Sequence, residues 1–160
     1  MVSIREYQDK DISMLTKIWN TIVEEGNSFP QTDSLSLEEA IDFFAEQSFT
    51  AVAEENGVIM GLYILHPNNV GRCNHQANAG YMILPSYRGN GIGTLLVQHS
   101  LEKSKALGFQ LLQFNAVVKS NIHAIRLYRK LGFVEIGTVP LGFRMKDHTY
   151  QDIILFYHTL

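Results

Sequence analysis

Apolar and polar residues along the first half of this chain follow helical spacing in two places and strand-like runs in three. A strand is expected at residues 2–5, followed by a helix that Asp9 or Asp11 caps and that stops near Gly26. Its apolar positions are Ile12, Leu15, Ile18, Trp19 and Ile22. Residues 49–53 and 58–65 are predicted as two strands of a hairpin joined across Asn56-Gly57.

A second helix is predicted between the first helix and that hairpin. Ser36 is its expected N-cap, and Glu39, three residues later, is the reciprocal partner of a capping box. Apolar residues then recur at helical spacing at Ala40, Ile41, Phe43 and Phe44. The segment between the helices, residues 27–31, is expected to be a loop.

In the second half of the chain, strands and helices alternate. Strands are predicted at residues 76–84, 111–118, 134–139 and 153–158, with helices at 91–107 and 121–131. Such alternation favours parallel pairing around the central crossover, whereas the first half is hairpin-like. The pattern therefore predicts a single domain, 1–160, of the α/β class, with a mixed sheet of about seven strands and helices on both faces.

Composition then excludes several classes of function. A chain of 160 residues fits one domain with a sizeable core. Its net charge of −3 argues against a nucleic-acid partner. No apolar run approaches the ~20 residues that span a bilayer, and residues 1–5 do not open a signal peptide, so no membrane partner is expected. The single cysteine, Cys73, cannot form an internal disulfide, and a cytoplasmic setting is the simplest interpretation.

The strongest chemical signal is a basic, glycine-rich turn between the strand at 76–84 and the next helix. It runs Arg88-Gly89-Asn90-Gly91-Ile92-Gly93-Thr94. Glycines at alternate positions remove side chains that would keep a ligand off the backbone. The first turn of a helix also leaves its N–H groups without internal partners. The turn therefore predicts an anion site that suits a pyrophosphate.

Two familiar phosphate loops fit this turn poorly. A dinucleotide-binding fingerprint needs G-x-G-x-x-G, but here the third glycine comes one residue early, at Gly93. The acidic residue expected about 20 positions onward is also missing. A P-loop needs a lysine before Ser or Thr, and Thr94 follows Gly93 instead.

The turn instead resembles the acyl-CoA loop of the GCN5-related N-acetyltransferase (GNAT) family, which follows Gln/Arg-x-x-Gly-x-Gly/Ala. A second segment, residues 121–133, is similar to a later motif of the family, with Asn121, Ala124, Tyr128 and Gly132-Phe133 at the usual spacing. The strand at 111–118 lies between them, as the family requires. The resemblance covers residues 77 to 140 and implies acetyl-CoA as acyl donor.

The resemblance also implies roles for individual residues. The strands at 76–84 and 111–118 diverge, and the thioester lies in the gap. A backbone N–H near Met82 or Ile83 faces the thioester oxygen, and the N–H groups of residues 88–94 hold the pyrophosphate. Tyr128 is the general acid for the departing thiolate, with a plain core tyrosine as the alternative. Asn121 contacts the pantetheine arm or serves only as a helix N-cap.

The general base is not identified by the sequence. Many GNAT enzymes carry a glutamate on the first diverging strand, but residues 76–81 are neutral here. The candidates are His75, Glu24, Glu25 and a water chain held by asparagines. An amine that arrives protonated must lose a proton before it attacks, so some acceptor for that proton is needed.

Substrate contacts are predicted at Asn78, Asn115, Glu25 and Phe29. The two asparagines lie on the two diverging strands, where a polar side chain needs partners. Their surroundings resemble the branch of the family that acetylates proline analogues, although asparagines satisfied by backbone are the alternative. Glu25 and Phe29 belong to the segment after the first helix, which often covers the substrate in this family.

These observations predict an enzyme that transfers acetyl from acetyl-CoA to the amine of a small molecule, an amino acid or analogue, by direct attack in a ternary complex. The alternatives are a protein N-terminal or lysine acetyltransferase and a non-catalytic acyl-CoA-binding module. Tyr150-Gln151-Asp152 resembles the phosphinothricin-acetylating branch, which is commonly dimeric, so a homodimer is expected. No spacing of histidines and carboxylates suggests a metal site.

Overall fold

The protein folds into four helices and seven strands, and the computed structural model describes all residues, 1–160. The strands are β1 (Ser3–Glu6), β2 (Phe49–Glu55), β3 (Val58–Pro67), β4 (Gln76–Ile83), β5 (Leu111–Val118), β6 (Val134–Arg144) and β7 (Tyr150–Thr159). The helices are α1 (Ile12–Glu25), α2 (Leu37–Ala45), α3 (Ile92–Ala106) and α4 (Ile122–Lys130). None of these helices is long and apolar enough to cross a membrane.

All seven strands form one sheet in the order β1-β2-β3-β4-β5-β7-β6. Every neighbouring pair is antiparallel except β4 and β5, which are parallel. The buried residues of α1 and α2 form one core cluster with one face of the sheet. Those of α3 and α4 form a second cluster with the opposite face. The predicted mixed sheet of seven strands, with helices on both faces, is confirmed.

Local sequence signals account for most of the element boundaries. The apolar stripe of α1 is buried, and the helix ends at Gly26. Ser36 and Glu39 form the predicted capping box at the start of α2, since each side chain accepts the other's backbone N–H. Asn56 and Gly57 both adopt positive φ, 51° and 80°, as a tight hairpin turn requires.

The predicted cap of α1 is wrong. The Asp11 carboxylate does not cap that helix. It accepts instead from the backbone N–H of Gln8 at 2.8 Å and from two guanidinium nitrogens of Arg5 at 2.7 and 3.2 Å. Arg5 also donates to Glu54 at 2.5 Å. The ion pair therefore fastens β1 to the turn before α1, because a buried carboxylate needs a charged partner.

The last two strands are longer than predicted. The sequence placed residues 150–152 before the final strand, but Tyr150 begins β7. A strand was predicted only at residues 134–139, yet β6 continues through Pro140 to Arg144, with an irregular register between Val139 and Phe143. Proline is tolerated there because β6 is the edge of the sheet and needs no donor on its outer side.

The regular alternation of buried and exposed side chains fails in the middle of β5. Between Phe114 and Val117 the register to β7 shifts by one residue, which is a β-bulge at Asn115-Ala116. Leu112, Phe114 and Val117 face the core on the side of α3 and α4. Val117 takes the buried place that strict alternation would give to Ala116, and Asn115 is exposed.

Candidate active site

The two parallel strands at the centre of the sheet separate soon after they begin. β4 and β5 pair only at Gln76↔Leu111 and Ala77↔Leu112. Beyond that point both strands line one cavity of about 220 Å³, so the sheet is open between them. The further lining comes from α1, the loop after α1, the end of β3 and α4: Trp19, Ser28, Phe29, Pro30, Gln31, Ile64, His66, Asn121, Ala124 and Tyr128.

The register of β4 decides which of its N–H groups face the gap. Gln76 accepts from Asn68, and Leu84 donates to Met60, so the even-numbered residues of β4 pair with β3. Met82 lies opposite Leu62 in that set, and its N–H is directed to β3. The N–H of Ile83 is directed the other way, toward the separation from β5. Of the two predicted oxyanion donors, only Ile83 therefore offers a free N–H to the gap.

The glycine-rich turn leaves a run of backbone N–H groups unpaired. The N–H groups of residues 89–94 donate to no backbone carbonyl. Gly89 and Gly91 adopt φ of 81° and 78°, and nothing lies within 4 Å of the side chain either one lacks. Both glycines thus permit a turn that other residues adopt only with strain. Gly93 differs, because a Cβ there would lie 3.3 Å from Leu127 and 3.4 Å from Ile83, so its role is close packing.

Arg88 and Glu25 form an ion pair beside this turn. The guanidinium of Arg88 donates to both carboxylate oxygens of Glu25, at 2.9 and 3.0 Å, and to the carbonyl of Ile83 at 3.2 Å. Glu25 is the last residue of α1 and does not line the cavity. The carboxylate of Glu25, which was predicted to contact the substrate, therefore lies against the glycine-rich turn, where it binds Arg88.

Tyr128 lies where α4 meets the gap. Its ring packs on Phe114 and Phe133, with centroids 4.5 and 5.5 Å apart, and on Phe156 and Tyr81. Its hydroxyl makes no hydrogen bond within the protein. The hydroxyl oxygen is not completely buried, however. Burial raises the pKa of Tyr128 above its ordinary value of 10.0. The site thus contains a protonated hydroxyl that is available to a ligand.

The predicted asparagines reach the cavity in different ways. Asn121 caps α4 by accepting from the Ala124 N–H at 3.4 Å, and it also lines the cavity. The Asn78 amide donates to the Gln113 carbonyl across the gap at 2.8 Å, which leaves its amide oxygen free. Asn115 donates to the Asn68 side chain at 2.5 Å. The side chains of Asn78 and Asn115 are thus already partnered, and they contribute to the polar part of the lining.

Phe29 closes one side of the cavity. Its ring packs on Trp19 at 5.8 Å between centroids and lies over Gly80 of β4. A Cβ at Gly80 would come within 2.8 Å of Phe29 Cε1. The loop after α1 is therefore packed closely on a strand that lacks a side chain at this point.

The cavity also contains a histidine that the sequence analysis did not single out. His66 lies at the end of β3, directly opposite Asn78 in register, and lines the cavity. The earlier candidates Glu24, Glu25 and His75 do not line it. The predicted strand at 58–65 stops one residue before His66, so the sequence did not place His66 on the sheet. No group of three or more His, Cys, Asp or Glu side chains is arranged to hold a metal ion.

A mixed sheet opened between two parallel strands, with a glycine-rich turn of unpaired N–H groups beside the opening and a tyrosine within it, is the arrangement expected of an acyl-CoA-dependent acetyltransferase. The family model described as "Acetyltransferase (GNAT) family" matches residues 13–133. The chain therefore belongs to the GNAT family of N-acetyltransferases, and the resemblance predicted from its two motifs is confirmed.

Relatives of this chain agree with that assignment. The N-acetyltransferase aca1 of Schizosaccharomyces pombe is 31% identical, over 92% of this chain and 79% of that protein. A GCN5-related N-acetyltransferase from Kribbella flavida superposes with a TM-score of 0.92 at 31% identity, covering 99% of this chain and 98% of its own. A phosphinothricin acetyltransferase from Sinorhizobium meliloti, solved with acetyl-CoA, has the same fold (TM-score 0.92, 21% identity, 99% and 88% covered).

Proposed function

We propose that this enzyme transfers acetyl from acetyl-CoA to the amine of a small molecule, an amino acid or amino-acid analogue, by direct attack in a ternary complex. The observation that carries the proposal is the small cavity between β4 and β5, about 220 Å³, closed on one side by Phe29 and the loop after α1. A volume of this size suits a compact acceptor better than a protein surface. Aromatic and amide side chains line it together, which suits an amine with a small apolar body.

The phosphate loop and β4 fit the donor. The free N–H groups of residues 89–94 suit a pyrophosphate, and the positive end of α3 adds to the attraction. Arg88 contributes a positive charge at the same turn, although Glu25 offsets it. The unpaired edge of β4 beyond Ala77 suits a pantetheine arm that pairs like an added strand. Asn121, at the start of α4, lines the path of that arm.

The chemistry needs an oxyanion donor and a proton donor, and both are available. Bound acetyl-CoA supplies an activated thioester, whose carbonyl oxygen gains negative charge during attack. The N–H of Ile83 is directed into the gap and suits stabilisation of that charge. The Tyr128 hydroxyl, protonated and free of internal partners, suits donation of a proton to the leaving sulfur. Asn78 and Asn115 orient the acceptor, and Phe29 covers it.

Release of free CoA thiol from acetyl-CoA, measured with a thiol dye, tests this function across a panel of acceptors. The panel contains L-proline and its analogues, L-phosphinothricin, other amino acids, polyamines and short peptides. We expect acceptor-dependent release with an amino acid or analogue. Release with peptides alone would assign the enzyme to protein acceptors. Binding of acetyl-CoA by calorimetry without any turnover would instead indicate a non-catalytic acyl-CoA-binding module.

We further propose that two copies associate through β6. This edge strand exposes a row of apolar residues: Val134, Ile136, Val139 and Leu141. An exposed edge strand with such side chains is a template for pairing with another chain. Sedimentation velocity is expected to give a dimer, and Ile136→Lys is expected to give a monomer with unchanged acetyl-CoA affinity. A monomeric wild-type protein would contradict this proposal alone.

A cytoplasmic location is proposed on the chemistry of the one cysteine. Cys73 is a free thiol with no partner for a disulfide. Free thiols of this kind persist in reducing compartments. Fluorescence microscopy of a tagged chain in its own cell is expected to show a diffuse cytoplasmic signal, and a signal confined to an organelle or to the medium would contradict the proposal.

A further inference from the structure

We infer that His66 is the general base that removes the proton from the acceptor amine. This inference rests on the proposed small-molecule function and supplies the group that the diverging strands lack. β4 carries no carboxylate within the cavity, and the lining contains no Asp, Glu, Lys or Arg. His66 is therefore the lining group whose ordinary chemistry includes taking a proton near neutral pH.

The position of His66 follows from the register of β3 and β4. His66 pairs with Asn78, and Ile64 pairs with Gly80, so these side-chain positions lie on one face of the sheet. That face is the one covered by α1 and by Phe29, where the acceptor is expected. Tyr128 lines the same cavity but packs with the core on the opposite face of the sheet. The base and the acid are thus separated by the site where the acceptor nitrogen meets the thioester.

The tautomer of His66 is fixed by a local hydrogen bond. Its Nδ1 lies 2.9 Å from the carbonyl oxygen of Pro67. A carbonyl oxygen only accepts, so Nδ1 carries the hydrogen and donates it. In the neutral ring Nε2 then holds a lone pair, because only one nitrogen of neutral imidazole is protonated. Proline suits the next position because its ring restricts the backbone that presents this carbonyl.

The proton balance of the transfer closes with His66 and Tyr128. The acceptor ammonium gives one proton to Nε2 of His66, and the neutral nitrogen then forms a bond to the acetyl carbon. As the carbon–sulfur bond breaks, the sulfur takes the proton of the Tyr128 hydroxyl. The second proton lost by the nitrogen restores that hydroxyl, and His66 releases its own proton to solvent. The net products are the amide, CoA thiol and one proton.

Few other groups can titrate in the same surroundings. Asn78 faces His66 from β4, and Trp19 of α1 lines the same cavity, and neither carries a charge. The remaining titratable lining groups are Tyr81 and Tyr128. Burial raises the pKa of both tyrosines above 10.0, so both stay protonated across the neutral range. Neither tyrosine is therefore an alternative to His66 as the base.

The test compares His66→Asn with His75→Asn. In His66→Asn the amide nitrogen replaces Nδ1 as donor to Pro67, but nothing replaces Nε2. His75 is exposed and outside the cavity, so its variant is the matched control. We expect kcat/KM for L-phosphinothricin or L-proline, whichever the wild type acetylates, to fall about 10²–10⁴-fold at pH 7 in His66→Asn. Acetyl-CoA affinity and the melting temperature stay unchanged.

The pH profile separates a base from a merely structural side chain. With His66 present to take the amine proton, kcat/KM of the wild type should depend on pH less steeply than that of the variant. His66→Asn should instead rise about tenfold per pH unit up to the pKa of the acceptor amine, because only the free amine then reacts. A variant with the wild-type profile, or with activity within about threefold, would overturn the inference and leave the proposed function intact. A wild type without acceptor-dependent turnover would overturn both.

The tautomer has a readout that does not depend on turnover. The chain contains six histidines, and ¹⁵N-labelled histidine gives each ring a distinct pair of signals. The signals lost in His66→Asn identify His66. We expect hydrogen on Nδ1 and none on Nε2 in the neutral ring, in the protein without ligands. Hydrogen on Nε2 would overturn the assignment, since that nitrogen could not then accept a proton.

Discussion

Replacing Tyr128 by phenylalanine removes one hydroxyl that the folded protein does not use. That hydroxyl has no hydrogen-bond partner in the protein, and the ring keeps its contacts with Phe114 and Phe133. No internal hydrogen bond is lost, so the free energy of unfolding should change by less than about 0.5 kcal/mol. A general acid contributes about 10²–10⁴-fold, so kcat should fall by that factor. Acetyl-CoA affinity should remain.

Tyr63→Phe is the matched comparison because it should lower stability and leave turnover unchanged, the opposite of Tyr128→Phe. Tyr63 is fully buried, and its hydroxyl lies 2.8 Å from Nδ1 of His99, away from the cavity. Losing this bond should cost about 1 kcal/mol and lower the melting temperature by about 2–4 °C, with turnover unchanged. Differential scanning fluorimetry and the thiol assay measure both variants. A Tyr128→Phe enzyme that keeps a third of its turnover, or that melts like Tyr63→Phe, would refute the role of acid.

Three further predictions follow from single contacts. Gly80→Ala adds a methyl group only 2.8 Å from Phe29 Cε1, so Phe29 must move. KM for the acceptor should then rise, while calorimetry finds the acetyl-CoA Kd unchanged. An unchanged KM would contradict the role of Phe29 as a cover. Gly91→Ala forces a residue with a side chain into a φ of 78°, which costs about 1–2 kcal/mol. Acetyl-CoA should therefore bind about tenfold more weakly. Equal affinity in calorimetry would contradict the proposal that this turn binds the pyrophosphate. Arg5→Leu leaves the Asp11 carboxylate buried without its charge partner, so urea unfolding at pH 7 should show a loss of about 3 kcal/mol.

The pH dependence of the Arg5→Leu loss is a separate check on its cause. Burial by itself would raise the pKa of Asp11, but hydrogen bonds from Arg5 and the Gln8 N–H outweigh burial and lower it below 3.8. The stability that this pair contributes is therefore present above the pKa of an unfolded aspartate and is lost as the pH falls through the lower folded pKa. In the variant the guanidinium is gone and only the Gln8 N–H still bonds the carboxylate, so the pKa of Asp11 should rise relative to the wild type and the loss should shrink between pH 7 and pH 4. A constant loss would mean that packing, not charge, is removed.

Signals that lie within a few residues of one another predicted the elements well. The capping box at Ser36 and Glu39 and the Asn56-Gly57 turn all formed as expected, because each is a local hydrogen-bonding or backbone preference. Where a long-range partner decides, local signals fail. Asp11 was predicted as an N-cap, but its carboxylate binds Arg5 instead. The strand predicted to end at residue 139 continues because residues 143 and 144 pair with β7.

The candidate site divides in the same way. The phosphate loop and Tyr128 belong to contiguous motifs, so the sequence pointed to them directly. The role of His66 and the choice of Ile83 over Met82 could not be made from sequence, since both depend on the pairing register of β3 with β4. Glu25 illustrates the converse, because a carboxylate expected near the acceptor lies against Arg88, a residue 63 positions away.

By itself, the sequence determined the class of this protein: the order of strands and helices, the glycine-rich loop and the α4 motif mark a GNAT acetyltransferase, because periodicity and turn chemistry are properties of neighbouring residues. Only the tertiary structure decided which side chains share the cavity. The separation of β4 from β5, the bulge at Asn115 and the placement of His66 opposite Asn78 each follow from strand register and packing. Those depend on contacts between distant segments, which no local pattern encodes.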